Sequence, residues 1–165
     1  MAKFTKLIYN LIGDMMIVKE VKFVNNKIEI VLDDRSIFIS KENYIENPIT
    51  IDSFIGQDKI DFLLMQEKYK DTKTAIIKQL NKKSFSEYEV YKKIKESGLD
   101  KEYIEKIVCS LKRMGLINDE YTAEIFVSSL IGKRKGKIEI IKLLKERGIS
   151  GEIINKVIGE IDEEE

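Results

Sequence analysis

EVYKKIKESGLDKEYIEKIV occupies Glu89–Val108, and EIIKLLKERGISGEIINKVI occupies Glu139–Ile158. The two stretches align without a gap. Identities fall at Glu89/Glu139, Lys92/Lys142, Lys95/Lys145, Glu96/Glu146, Gly98/Gly148, Glu102/Glu152, Ile104/Ile154 and Lys106/Lys156. Elsewhere apolar replaces apolar, as at Val90/Ile140, Ile94/Leu144, Leu99/Ile149 and Ile107/Val157. Conserved charge and spacing in two copies are the signature of a structural repeat.

Each copy carries helix punctuation. Ser86 followed by Glu89 is a capping box, in which hydroxyl and carboxylate each serve an orphan backbone N–H. Phe85 and Val90 hold the positions of a hydrophobic staple. Gly98 is placed for the left-handed residue that ends a helix. Asp100 is expected to cap the next helix, whose apolar face is Tyr103, Ile104, Ile107, Val108, Leu111 and Met114; Gly115 ends it. In the second copy a helix begins near Asn118 or Asp119, with Ala123, Phe126, Val127, Leu130 and Ile131 inward. Another runs from Gly136 to Gly148. Ser150 caps a last helix carrying Ile153, Ile154, Val157 and Ile158, before a frayed acidic tail at 161–165. The unit is three helices. Stacking two units buries stripes that one short helix cannot bury alone, and gives a slightly curved rod with a repeating surface.

Upstream the period changes from helix to strand. MIVKEVKFV alternates, with Ile17, Val21 and Phe23 among its apolar residues. KIEIVL places Ile28, Ile30 and Leu32 on one face, and RSIFIS pairs Ile37 with Ile39. Asn25-Asn26 and Asp33-Asp34 are turn signals. The reading is a small antiparallel meander, then Pro48 in a loop, then helix throughout from Ser53, with separate helices over 58–69 and 71–82. The fold class is mostly α: tandem three-helix repeats after a small β-meander. The spans are an extension at 1–15, the sheet at 16–52, a linking helix and first repeat at 53–117, and the second repeat at 118–160.

Composition narrows the chemistry. The chain has 165 residues, a net charge of +0, no histidine and no tryptophan. The commonest general base and zinc ligand are therefore missing, and no phosphate-binding glycine loop is present. Carboxylates alternate with lysines as they do on solvated helix faces. The reading is a protein without enzymatic activity, cofactor or metal. Cys109, beside Val108, is read as a buried thiol. No apolar run reaches the ~18 residues of a membrane span. The N-terminus lacks a cleavage signal, so the chain is read as cytoplasmic.

GLINDEYTAEIFVSSLIGKRKGKIEIIKLLKERGI resembles the repeat of the RecX family, regulators of the bacterial RecA recombinase. The matching positions are Gly115, Leu116, Ile117, Asn118, Asp119, Ala123, Gly136, Ile140, Leu144, Gly148 and Ile149, with Ser86, Glu89 and Val90 at the earlier helix start. The order of sheet, capping box and basic glycine turn extends the resemblance over about 16–161. Two departures stand out: Thr122 occupies a slot usually aromatic, with Tyr121 one earlier, and two repeats are present where the family commonly has three.

The resemblance implies a non-catalytic modulator in DNA repair, homologous recombination and the SOS response. It would act as a monomer in the groove of the RecA–single-stranded DNA filament, altering filament growth, ATPase and strand exchange, with weak direct DNA contact. Local charge nominates the surface: Lys133, Arg134, Lys135 and Lys137 at a turn, then Lys142, Lys145 and Arg147. Lys92 and Lys95 are the weaker counterparts in the first copy. Tyr88 and Tyr91 are read as packing residues first and exposed anchors second. Two other readings stay open. One is a winged-helix or helix-turn-helix DNA-binding regulator, with 100–114 as reading helix. The other is a generic helical interaction scaffold.

Overall fold

The computed structural model describes residues 15–164, with side chains described as far as Gly159. The expected extension before Met15, and Glu165 of the acidic tail, lie outside the described residues. The chain divides into two compact units between Lys70 and Asp71.

The first unit is a four-stranded antiparallel sheet in the order β3-β2-β1-β4. Its strands are β1 (Met15–Val24), β2 (Lys27–Leu32), β3 (Ser36–Ser40) and β4 (Phe54–Gly56). Asn25 and Asn26 both have positive φ, 48° and 68°. This is the two-residue hairpin turn whose twist matches that of its strands. Ile28, Ile30, Leu32, Ile37 and Ile39 form the buried face.

β1 departs from simple alternation. Its register slips between Val18 and Glu20, so a bulge shifts the phase. Val18 is fully buried, while Ile17 and Phe23 are exposed. β4 is a second correction, since helix was expected from Ser53. Three residues there pair with Met15–Ile17, extending the sheet with Ile55 in its core.

The sheet's apolar face is covered by Ile60 and Leu63 of a long helix. A short helix, α1 (Lys41–Glu46), precedes it and is capped by Ser40. Asn43 of α1 is fully buried and donates to the Leu63 carbonyl and to Glu67 Oε1. The two helices expected at 58–69 and 71–82 are one, α2 (Gln57–Leu80). No Gly or Pro interrupts this span, so nothing breaks the backbone ladder.

The second unit begins inside α2. It continues through α3 (Glu87–Lys95), α4 (Lys101–Arg113), α5 (Asp119–Gly132), α6 (Lys137–Glu146) and α7 (Gly151–Glu164). The backbone of α7 carries helix through most of the segment expected to fray. Residues 91–108 and 141–158 repeat the same order of buried, half-buried and exposed positions without exception. The end of α2 supplies the first helix of the first copy: Ile76 and Ile77 stand where Phe126 and Val127 stand in α5. The second copy packs Ala123, Val127, Leu130, Ile140, Leu144, Ile149, Ile154, Val157 and Ile158 into one core.

Three helix ends follow the expected glycine chemistry. Gly98, Gly115 and Gly148 have φ of 69°, 69° and 76°, the left-handed closure that a side chain resists. Asn118 accepts from the Tyr121 N–H at 3.1 Å, and Ser150 from the Ile153 N–H at 3.4 Å.

Other expectations are corrected. Asp100 takes the cap conformation, but its side chain makes no cap hydrogen bond; it is exposed, and water can serve those amides. Cys109 is exposed. The buried stripe of α4 is Ile104, Ile107, Val108 and Leu111, and one further step of about 100° carries Cys109 past its edge. Met114 and Ile131 are exposed too; the buried stripes of α4 and α5 end at Leu111 and Leu130.

Candidate partner-binding surface

The basic turn predicted between two helices is present, with a geometry the sequence concealed. Lys133 is the C-cap of α5. The Arg134 N–H donates to the Ile131 carbonyl at 2.7 Å, and the Lys135 N–H to the Leu130 carbonyl at 3.1 Å. This pair of bonds is a Schellman closure. Its left-handed residue is Arg134, φ 57°, where glycine is usual. The flanking glycines serve elsewhere: Gly132 closes the helix and Gly136 is the N-cap of α6, with no side-chain cap bond. Exposed cations and uncapped amides thus share one turn, an arrangement that favours negatively charged partners.

Not all these charges are uncommitted. Lys135 pairs with Glu139 at 2.7 Å, and Lys142 with Glu146 at 3.9 Å. Lys133, Arg134, Lys137 and Lys145 are exposed, as are Lys92 and Lys95 of α3. Lys93 is half-buried, its ammonium 4.9 Å from the Phe85 ring centre.

Arg147 sits apart from this surface. Its side chain is only 13% exposed and joins the two repeats. Nε donates to Glu89 Oε1 at 3.1 Å and Nη2 to Glu89 Oε2 at 2.7 Å. Nη2 also donates to the Ser84 carbonyl, and the guanidinium lies 4.4 Å from the Phe126 ring centre. The expected capping box is formed: Ser86 N–H donates to Glu89, and Glu89 N–H to Ser86 Oγ. The Ser86 hydroxyl then donates to the Arg147 carbonyl, an end-of-helix acceptor otherwise left to water. One residue set thus starts α3 and fastens the end of α6 to it. The Glu87 N–H donating to Asp119 Oδ1 at 2.7 Å adds to this junction.

The electrostatics follow. Burial pushes the Glu89 carboxyl up. The Arg147 and Ser86 hydrogen bonds and the Arg147 charge outweigh it and hold Glu89 below the usual carboxylate range. Asp119 lies above its ordinary value because burial dominates.

The junction was missed in the sequence, though one signal was there. Ser97 stands at the position of Arg147, so this is a place where the copies differ. Differences between repeats mark residues made for a neighbour.

Tyr88 is half-exposed, but a Cβ built on Gly148 would meet its Cβ at 2.4 Å; it packs at the junction while showing its ring to solvent. Among the described residues, no three His, Cys, Asp or Glu side chains gather as a metal site would need, and no helix is long and apolar enough to cross a membrane. After Ile117 the chain enters α5 rather than a wing of strands. α4 pairs its own charges, Lys101 with Glu105 and Lys106 with Glu102.

A small antiparallel sheet followed by tandem three-helix units defines the class. The model of the RecX second three-helix domain matches residues 118–158. A crystal structure of a regulatory protein RecX is similar with TM-score 0.64 and 19% identity over 88% of this chain and 74% of that one. RecX from Lactobacillus salivarius is similar with TM-score 0.54 and 24% identity over 56% of this chain and 61% of that one. No curated protein matches the chain. The family model covers the second three-helix unit, and the two solved structures share the chain's fold.

Proposed function

We propose that this protein is a regulator of the RecA recombinase that binds the filament on single-stranded DNA and alters its growth, ATPase and strand exchange without chemistry of its own. The observation that carries the reading is the RecX three-helix domain at 118–158, with the exposed basic turn Lys133–Lys137 inside it. A rigid body with repeated faces can hold several filament subunits at once, so weak contacts act together. Lys133, Arg134, Lys135 and Lys137 are the binding candidates of the turn, followed by Lys142, Lys145, Lys92 and Lys95. Arg147 is assigned to holding the repeats together.

Co-sedimentation with RecA–single-stranded DNA filaments tests the reading. The wild type should pellet with the filament. The combined Lys133→Glu, Arg134→Glu, Lys135→Glu and Lys137→Glu variant should stay in the supernatant with its helical circular dichroism intact. A wild type that does not pellet sinks the function; a variant that pellets equally removes the turn from it.

A further inference from the structure

The two repeats carry the same surface depression. One lies on α3 and the other on α6, with volumes of about 510 and 480 Å³. Each is lined by five residues at equivalent positions. The apolar lining is Tyr88 and Tyr91 in the first, Ile138 and Ile141 in the second. Ile138 is 87% exposed, the largest apolar exposure among the described residues, and nothing in its own repeat covers it. Lys92 and Lys95 rim the first depression, as Lys142 and Lys145 rim the second. Glu96 and Glu146 complete them.

The chemistry identifies the partner's class. Among the described residues Lys92, Lys95 and Lys145 have no carboxylate partner, so each rim keeps cationic donors for an incoming acid. An apolar floor beside them fits an apolar side chain next to that acid. Nucleic acid fits poorly. Bases need aromatic platforms, and the second copy has isoleucines in place of tyrosines. The conserved features are apolar, cationic and doubled.

We infer that these depressions are two equivalent docking sites for a protein partner that presents one acidic, apolar-flanked segment on each of two successive copies. This rests on the filament reading above and assigns it a surface: neighbouring subunits of the filament fill the two sites of one chain. Two weak contacts on one rigid body then behave as a single strong one.

The test uses matched charge reversals on the full chain: Lys92→Glu with Lys95→Glu, and Lys142→Glu with Lys145→Glu. The control is Lys101→Glu with Lys106→Glu on α4, and Ile138→Ser probes the apolar part without touching charge. Affinity for immobilised RecA–single-stranded DNA filaments is measured beside affinity for the same DNA uncoated. Either matched pair alone should weaken filament binding by roughly 10²-fold or more, as losing one arm of a bivalent contact does. The control should change it by less than roughly five-fold. Ile138→Ser should weaken binding with the fold unaltered. Wild-type binding undiminished by both pairs overturns this inference and leaves the regulator reading standing. Loss from one pair only overturns the equivalence of the sites. A wild type blind to the filament overturns both proposals, and pairs that abolish binding to uncoated DNA instead place nucleic acid on this surface.

Discussion

Gly148 and Gly115 follow α6 and α4 in the same left-handed conformation, with φ of 76° and 69°, and differ in what surrounds them. A Cβ on Gly115 would meet nothing within 4 Å, whereas one on Gly148 would meet Tyr88 Cβ at 2.4 Å and Cγ at 2.5 Å. Gly115→Ala should therefore show the backbone cost alone, about 1–2 kcal/mol. Gly148→Ala carries that cost plus overpacking of about 1–3 kcal/mol. Its total is about 2–5 kcal/mol. Relief by rotating the tyrosine ring is small, since the nearest atom is the Cβ that α3 fixes. Urea unfolding followed by far-ultraviolet circular dichroism measures both variants. Equal losses for the two would refute the packing of Tyr88 on Gly148, and with it the described junction between repeats.

Three further outcomes follow from the same geometry. Arg147→Ala strands the partly buried Glu89 carboxylate, and should cost about 1–3 kcal/mol; a double-mutant cycle with Glu89→Gln should show coupling, which additivity would deny. Arg134→Gly should stabilise by about 1 kcal/mol, because glycine accepts the left-handed turn that arginine resists; a lowered denaturation midpoint would contradict the Schellman closure. Glu89 and Glu67 are held below their ordinary value of 4.5. Their contribution is complete above that value and is lost as pH falls through the depressed ones. Asp119 acts oppositely: its burial cost is present above its raised pKa and fades toward 3.8 and below. The wild type should thus lose stability on acidification below pH 4.5 more steeply than Glu89→Gln, read by thermal melts in a pH series; parallel curves would contradict the Arg147 pairing.

The repeat was legible because its stripes, capping residues and terminal glycines are local signals. Ser86–Glu89, Gly98, Gly115 and Gly148 do what their neighbours in sequence imply. The β2 and β3 faces were legible for the same reason. What failed depended on distant partners or on one residue of phase. The bulge after Val18 broke the phase that would have put Ile17 with Val21, Phe23 is exposed beside the hairpin turn although its register partner is Ile28, and β4 formed because Met15–Ile17 offered an edge. Cys109 missed the buried stripe of α4 by one position. In the candidate surface, the lysines of the turn were legible as charge. That Arg134 takes the glycine conformation was hidden by the glycines on either side, and Arg147 read as surface charge because its partners Glu89 and Phe126 lie far along the chain.

The most direct measurement of the central claim is ATP hydrolysis by RecA on single-stranded DNA as this protein is titrated in. The account predicts inhibition by the wild type below one chain per recombinase subunit, reduced in the four-residue turn variant. Hydrolysis unchanged at molar excess would contradict it.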